Sequence, residues 1–396
     1  MANTVVSYDN PYYLTNNDHS GLLLVSDRLT GAGDFGSWHQ SMLMALNGRN
    51  KLCFVDGSLP KPDDGHRDAA TWSRVNDVVR SWLINSVSKT IGQSVLYVKT
   101  AHAFKLKDLG QVKYFLGLEI ARNKDSISLC QRKYTLDLLE SVGFLGCKPV
   151  ATPMDSTVHL HAESGDILPD ATVYRALIGK LLYLTITRAD ITYAVHKLSQ
   201  FLAQPRTHHL EAAHRVIRYL KGDPGRGLFY SAHSEIRLQA FSDADWGTCQ
   251  DTRRSTTGFC VFLGDSLISW KAKKQQTASR SSAESEYRAL ADTTCELLWL
   301  SKLLKNLHVH ISGPATIYCD STAAIHIASN SVFHERTKHI EIDCHIVRDK
   351  LRAGFLNLMH VTTDNQLADL FTKALPPKTF KLLMSRYAFS SLFLPA

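Results

Sequence analysis

Residues 236–246 read IRLQAFSDADW, and this stretch decides how the C-terminal region folds. Apolar residues alternate with polar ones up to two aspartates, Asp243 and Asp245, so the stretch reads as a β-strand closed by acids. TTGFCVFLG (256–264) is a second strand, and Gly264-Asp265 turns it into a third, LISWKAK (267–273). A long helix is expected over about 282–306. ATIYCDS (315–321) gives a short strand that runs into the helix STAAIHIASN (321–330). EIDCHIVRDKLRAG (341–354) is a helix closed by Gly354, FLNLMHVTT (355–363) the last strand, and DNQLADLFTKAL (364–375) the last helix. Three strands followed by strand–helix alternation imply an α/β unit: a mixed sheet with helices on both faces.

Four acids fall at element ends in this reading. Asp243 closes the first strand, Glu286 lies in the first turns of the long helix, Asp320 ends the fourth strand, and Asp369 lies one turn inside the last helix. Four clustered carboxylates repel one another and need cations to remain ionised together. Mg²⁺ suits all-oxygen ligands, and two such ions about 4 Å apart can activate a water and stabilise a leaving oxygen in phosphodiester cleavage. Mn²⁺ is an expected substitute. Ser281–Glu284 and Thr363–Gln366 each fit a capping box, which leaves Glu286 and Asp369 available to the sheet. Taken singly, each acid reads equally well as a cap or a solvated surface residue.

Upstream, residues 1–20 are polar and read as a mobile arm. Trp38, Met42, Ala45 and Leu46, then Trp72, Val75, Val79, Trp82, Leu83 and Val87, recur at helical spacing on either side of the loop VDGSLPKPDDGHRD (55–68). From 113 the chain reads strand, turn at Asn123-Lys124-Asp125, strand, helix. Residues 170–222 read as two helices, ended by Gly222-Asp-Pro-Gly225. Net charge is +8, which is compatible with a polyanionic partner. The eight cysteines form no CxxC pair, so no zinc ribbon or knuckle is expected. The N-terminus carries no secretory signal and no apolar run reaches the roughly 18 residues of a membrane span. The expectation is a soluble intracellular protein, not secreted, cytoplasmic or nuclear.

FSDADWG (241–247), SRSSAESEYRALA (279–291), IYCDSTAAI (317–325), HERTKHIEIDCHIVRDKL (334–351) and QLADLFTKAL (366–375), in this order, resemble the ribonuclease H domain of copia-type LTR retrotransposon polyproteins. The resemblance implies an RNase H-like five-stranded mixed sheet over 236–376, hydrolysis of RNA paired to DNA, and metal binding by Asp243, Glu286, Asp320 and Asp369. It assigns Asp243 over Asp245, because Asp245 occupies a variable position. FKLKDLGQVKYFLGLEI (104–120), YRALIGKLLYLTITRADI (174–191) and RVIRYLKG (215–222) resemble the reverse transcriptase tail and its connection, an α-rich segment spanning 101–235. DNPYYLTNNDHSGLLLVSDRLTG (9–31) and FGSWHQSMLMALNGRNKLCFVDGSLPKP (35–62) resemble the start of copia-type Gag, a small helical unit over 1–100. Residues 377–396 read as a C-terminal tail. The Tyr-Val-Asp-Asp motif of the polymerase palm does not occur, so no polymerase activity is expected, and the join near 98–104 reads as an internal deletion.

Lys271, Lys273, Lys274 and Arg280 border the acids and are candidate contacts to phosphates; a solvated basic turn is the plain alternative. Arg336, Lys338 and His339, with His334 and His345, are candidates for substrate contact or packing in preference to zinc. His360 suits proton transfer or strand-end packing equally. Tyr114 and Phe115 are expected in a core. The rival to an RNA–DNA hybrid ribonuclease is an inactive remnant whose Gag-like arm self-associates or binds nucleic acid.

Overall fold

A computed structural model of the chain describes residues 9–31, 34–63, 65–102, 112–329, 341–387 and 389–391. The chain divides into two compact units, 1–111 and 112–396. Among the described residues no helix is long and apolar enough to cross a membrane.

The first unit is helical: α1 (Phe35–Gly48), α2 (Cys53–Asp56), α3 (Ala69–Asn85) and α4 (Lys89–Val95). Trp38, Met42 and Leu46 share one face of α1 because they recur every four residues. They pack with Phe54 and with Trp72, Val75, Val79, Trp82 and Leu83. The three buried indoles keep partners: Trp38 Nε1 donates to Ser86 O at 2.7 Å, Trp82 Nε1 to His19 O at 2.8 Å and Trp72 Nε1 to Leu59 O at 3.3 Å. Residues 9–20 do not form the mobile arm expected. Tyr12 and Leu14 pack on the core, Lys51 Nζ donates to Tyr13 O at 2.7 Å, and Arg49 pairs with Asp18. A buried ammonium has to be satisfied by such contacts, and satisfying it anchors the segment.

The second unit opens with β1 (Tyr114–Phe115), β2 (Leu118–Arg122), β3 (Ser126–Cys130), α5 (Arg132–Ser141), α6 (Ala171–Leu184), α7 (Thr192–Ser199), α8 (Thr207–Gly222) and β4 (Arg226–Ser231). It continues with β5 (Leu238–Asp245), β6 (Thr256–Leu263), β7 (Ser266–Lys274), α9 (Ser282–Asn306), β8 (Ala315–Cys319), α10 (Thr322–Ser329), α11 (Glu341–Arg352), β9 (Leu356–His360), α12 (Asp369–Thr372), α13 (Pro377–Met384) and β10 (Phe389–Ser391). One sheet is antiparallel, ordered β1-β2-β3-β4-β10. The other is the mixed five-stranded sheet read from the sequence, ordered β7-β6-β5-β8-β9, with β5, β8 and β9 parallel.

Strand β6 shows why its sequence is an unbroken apolar run. Phe259 and Val261 face α9, α10 and α11 with Tyr287, Leu290, Leu297 and Val347. Cys260 and Phe262 face the opposite core, which holds α6, α7, α8, Phe371 and Phe380. Successive residues point to opposite faces and both faces are covered. The segments drawn at 235/236 and 376/377 therefore share one core. Residues 377–387 are part of it: Phe380 and Leu383 are buried and Tyr387 Oη donates to Leu367 O at 2.7 Å, and beyond them β10 pairs with β4.

Three local expectations are corrected. The first of the two helices expected over 170–222 breaks after Leu184, and a 3-10 turn at Ala189–Ile191 leads into α7. Thr185, Ile186 and Thr187 are β-branched, and the break lets Arg188 turn inward onto Asp190, Nη2 to Oδ2 at 2.8 Å, both fully buried. Tyr114 and Phe115 are exposed, because β1 is an edge strand. The last helix is split into a 3-10 turn at Thr363–Asn365 and the short α12, so Asp369 begins a helix instead of lying a turn inside one.

Candidate active site

The parallel pairing of β5 with β8 aligns two acids. Phe241 stands opposite Tyr318, so two residues further along each strand Asp243 and Asp320 reach the same edge of the sheet. Asp243 is buried. On its antiparallel side it stands opposite Gly258. A side chain there is excluded by close approach: an added Cβ would lie 2.5 Å from Thr372 Cγ2 and 2.9 Å from Phe371 Cβ. Glycine at 258 is what lets α12 close over β5.

Helix α9 brings Glu286 to this edge. Its start is capped by Ser281 Oγ, which accepts from Glu284 N at 3.2 Å. Glu284 does not complete the expected box; its Oε2 accepts from Arg280 N at 2.8 Å and its Oε1 from Arg288 Nη2 at 3.0 Å. Thr293 Oγ1 donates to Ser242 Oγ at 3.1 Å and ties the helix to β5. Glu286, one turn in, is buried.

Asp369 arrives by a different device. Gln366, expected to cap a helix, instead turns inward: Nε2 donates to Ser242 O at 2.9 Å and Oε1 accepts from Ala368 N at 3.2 Å. This pins the turn before α12 to β5. Thr372 Oγ1 then donates to Asp243 Oδ2. Lys373 Nζ lies 2.9 Å from Asp369 Oδ1 and 3.8 Å from Asp243 Oδ2. Neither Thr372 nor Lys373 was singled out in the sequence; a Lys four residues after an acid was the available signal.

The charges do not balance. Burial, then Asp243 and Asp320, push the Glu286 carboxyl far above its ordinary range. Burial and Asp243 raise Asp320, against the pull of Lys373. Burial and Asp243 raise Asp369 as well, again opposed by Lys373. Burial disfavours the Lys373 ammonium, but Asp243 and Asp369 outweigh it and hold it charged. Asp245, set aside in the sequence as a variable position, belongs to the cluster. Burial first, and then Asp243, push it up to about 7, although Thr248 Oγ1 and Thr256 N donate to it. Like charges crowded in a dry site have this effect. The five carboxyls offer only oxygen donors, and among the described residues one lysine stands against them, so they fit hard divalent cations.

The basic candidates separate. Phe259 stands opposite Lys271 and Thr257 opposite Lys273, which places both lysines on the other face of the sheet from Asp243. Lys271 Nζ lies 5.7 Å over the Phe259 ring and Lys273 is exposed. Lys274 is committed internally, donating to Cys249 Sγ at 2.8 Å and Gln200 Oε1 at 3.3 Å. Arg280 is exposed beside the start of α9. Arg336, Lys338 and His339 lie outside the described residues. His345 and His360 are exposed, while Cys344 is buried in the core. Trp246, unweighed in the sequence, is 53% exposed, with Nε1 donating to Ser279 O at 3.1 Å.

Two family models match the chain: the Gag polypeptide of LTR copia-type over residues 15–63, and the reverse transcriptase (RNA-dependent DNA polymerase) over 78–156. The chain is 45% identical over 278 residues to a retrovirus-related Pol polyprotein from transposon RE2 of Arabidopsis thaliana, covering 70% of this chain and 19% of that one. It is 34% identical over 291 residues to the corresponding polyprotein from transposon TNT 1-94 of Nicotiana tabacum, covering 71% and 22%. The chain belongs to the copia-type retroelement proteins. This copia-type chain spans about a fifth of the length of those curated relatives. The reverse transcriptase match begins inside α3, upstream of the join expected near 98–104. The order and directions of the mixed sheet make the fold RNase H-like. Among solved structures, LC11-RNase H1 in complex with RNA/DNA hybrid aligns with a TM-score of 0.27 at 12% identity, covering 34% of this chain and 94% of that one. A foamy viral protease-reverse transcriptase aligns at 0.37 and 9%, covering 72% and 43%.

Proposed function

We propose that the unit carrying the mixed sheet is an RNA–DNA hybrid ribonuclease that hydrolyses the RNA strand and has no polymerase activity. The observation that supports it best is the convergence of Asp243, Glu286, Asp320 and Asp369 from β5, α9, the end of β8 and α12 into one largely buried cluster that Lys373 neutralises only in part. Structural carboxylates are normally paired; a surplus of buried acids at a sheet edge is the mark of a site built for cations. Two Mg²⁺ ions, or Mn²⁺ in their place, would supply water activation and stabilisation of the leaving oxygen.

The chain's own residues then have distinct tasks. Asp243 and Asp320 would hold metal from adjacent strands, Glu286 would hold metal from α9 and orient the scissile region, and Asp369 would complete the set. Thr372 orients Asp243 through its hydroxyl. Lys373 neutralises part of the cluster before any cation binds. Trp246 offers an exposed aromatic face at the rim, suited to stacking on a base or sugar. Shape and 2′-hydroxyls distinguish the RNA strand.

The test is hydrolysis of a labelled RNA–DNA hybrid by the purified chain with Mg²⁺, beside Asp243→Asn and Asp320→Asn. Cleavage of the RNA strand by the unsubstituted protein alone is the expected result. A folded protein that binds hybrid and leaves it intact would sink the reading and move the weight to self-association or nucleic-acid binding by the Gag-like unit.

A further inference from the structure

Cys319 is the last residue of β8 and stands beside Asp320. It is fully buried, like several other thiols of this chain, and the plain reading of such a thiol is core packing. Its surroundings argue otherwise. Cys260 meets the Tyr387 hydroxyl at 3.3 Å, whereas Cys319 Sγ faces a carboxylate, 4.0 Å from Glu286 Oε2, and accepts from Ser321 N at 3.4 Å. One donor atom from each of Glu286, Cys319 and Asp320 lies within 4.8 Å of the others.

Hard cations ignore a thiol and thiophilic ones seek it. Zinc bonds of about 2.3 Å to sulfur and 2.0–2.2 Å to oxygen hold donors about 3.5 Å apart, so this trio needs to close by about an ångström. Glu286 is the donor best able to move, since three rotatable bonds separate its carboxyl from the helix.

We propose that Glu286, Cys319 and Asp320 form a mixed oxygen–sulfur site that takes a thiophilic divalent cation of the zinc and cadmium class, and that such an ion arrests hydrolysis. Binding replaces the S–H bond with a metal–sulfur bond and releases the thiol proton to water; no electron is transferred. The ion then occupies two carboxylates that the hydrolytic site requires. The inhibitory half of the proposal rests on the ribonuclease reading; the binding half does not.

The experiment uses the full chain and two variants, Cys319→Ala and Cys319→Ser, with folding verified by circular dichroism. Cadmium is titrated and the ultraviolet thiolate-to-metal charge-transfer band is followed. The other seven cysteines contribute equally to all three proteins and cancel in the difference. The expected result is a difference band that saturates at one cadmium per chain and is missing from both variants. In Mg²⁺-supported hydrolysis, zinc should inhibit the unsubstituted protein at a concentration about tenfold lower than either variant requires. Identical bands in all three proteins overturn the site. A difference band with equal zinc sensitivity overturns the inhibition. Failure of every protein to cut hybrid overturns the ribonuclease reading while the band still decides the site. If the alanine variant does not fold, the serine variant, which keeps the side-chain volume closer, carries the same comparison.

Discussion

The second unit contains two buried charged clusters, and they are built on opposite rules. Around Asp190 every charge is answered. Arg188 Nη2 lies 2.8 Å from Asp190 Oδ2, Tyr219 Oη donates to the same oxygen at 2.6 Å, Arg226 Nη1 donates to Tyr219 Oη at 2.9 Å, and Arg188 Nη1 donates to Asp223 O at 2.9 Å. Burial alone would raise Asp190, but Arg188 overturns it and the carboxyl is held below its ordinary range. Around Asp243 burial has the same sign and nothing overturns it, so its neighbours are raised. A balanced buried cluster stabilises one arrangement of α7, α8 and β4. An unbalanced one costs stability and waits for cations.

That contrast can be broken most forcefully at Asp190. Replacing it, Asp190→Asn, leaves Arg188 buried without its counter-charge and should cost about 3–5 kcal/mol in denaturant unfolding. A loss under one would erase the distinction between the clusters. The matching change in the other cluster, Asp243→Asn, should have the opposite effect on stability. It removes the charge that raises Glu286, Asp320 and Asp369, so the metal-free thermal midpoint should rise while hybrid cleavage falls by about 10²–10³-fold or more. A falling midpoint would mean that Asp243 is structural.

The pH dependence sharpens the same point. A carboxyl raised in the folded state keeps its proton longer folded than unfolded, so it favours the fold at low pH and that advantage is lost as pH rises. For Asp245 the window runs from 3.8 to about 7, and Glu286, Asp320 and Asp369 shift in the same direction. With chelator present, the thermal midpoint should fall across this window. Mg²⁺ should restore it, with a larger gain at about pH 8 than at about pH 5. A flat profile would remove the claim of surplus charge. The smallest effect belongs to Lys373→Met. The side chain is 41% exposed, so after solvent screening its loss should cost only ~0.5 kcal/mol in the metal-free protein, read as a small drop in the same midpoint.

The acids were legible because Asp320 and Asp369 stand at element ends and Asp243 and Glu286 close to them, although β5 runs past Asp243 to Asp245; element ends follow from period and breakers. The mixed sheet followed from the same signals. What surrounds the acids was not legible. Gln366 and Asp369 were read into one helix, but Gln366 turns inward to the Ser242 carbonyl where the helix is split. Lys373 acquires its role from that split. The basic run at 271–274 was read as one surface because it is contiguous, yet strand alternation turns Lys271 and Lys273 away from Asp243 and leaves Lys274 to Cys249. Asp245 was discounted by resemblance, although the same alternation puts it on the face of Asp243. Tyr114 and Phe115 were read as core from their apolarity, which cannot report that β1 is an edge.

Strand β10 has a consequence for synthesis. Ser391 pairs with Arg226 and Phe389 with Leu228, so β4 gains its outer neighbour only after more than a hundred and fifty further residues have been translated. Until then a nascent chain presents β4 as an open edge, the kind of surface that chaperones shield and that pairs promiscuously between chains. Translation arrested between β4 and β10 would leave every polysome-bound copy with the same adhesive flank.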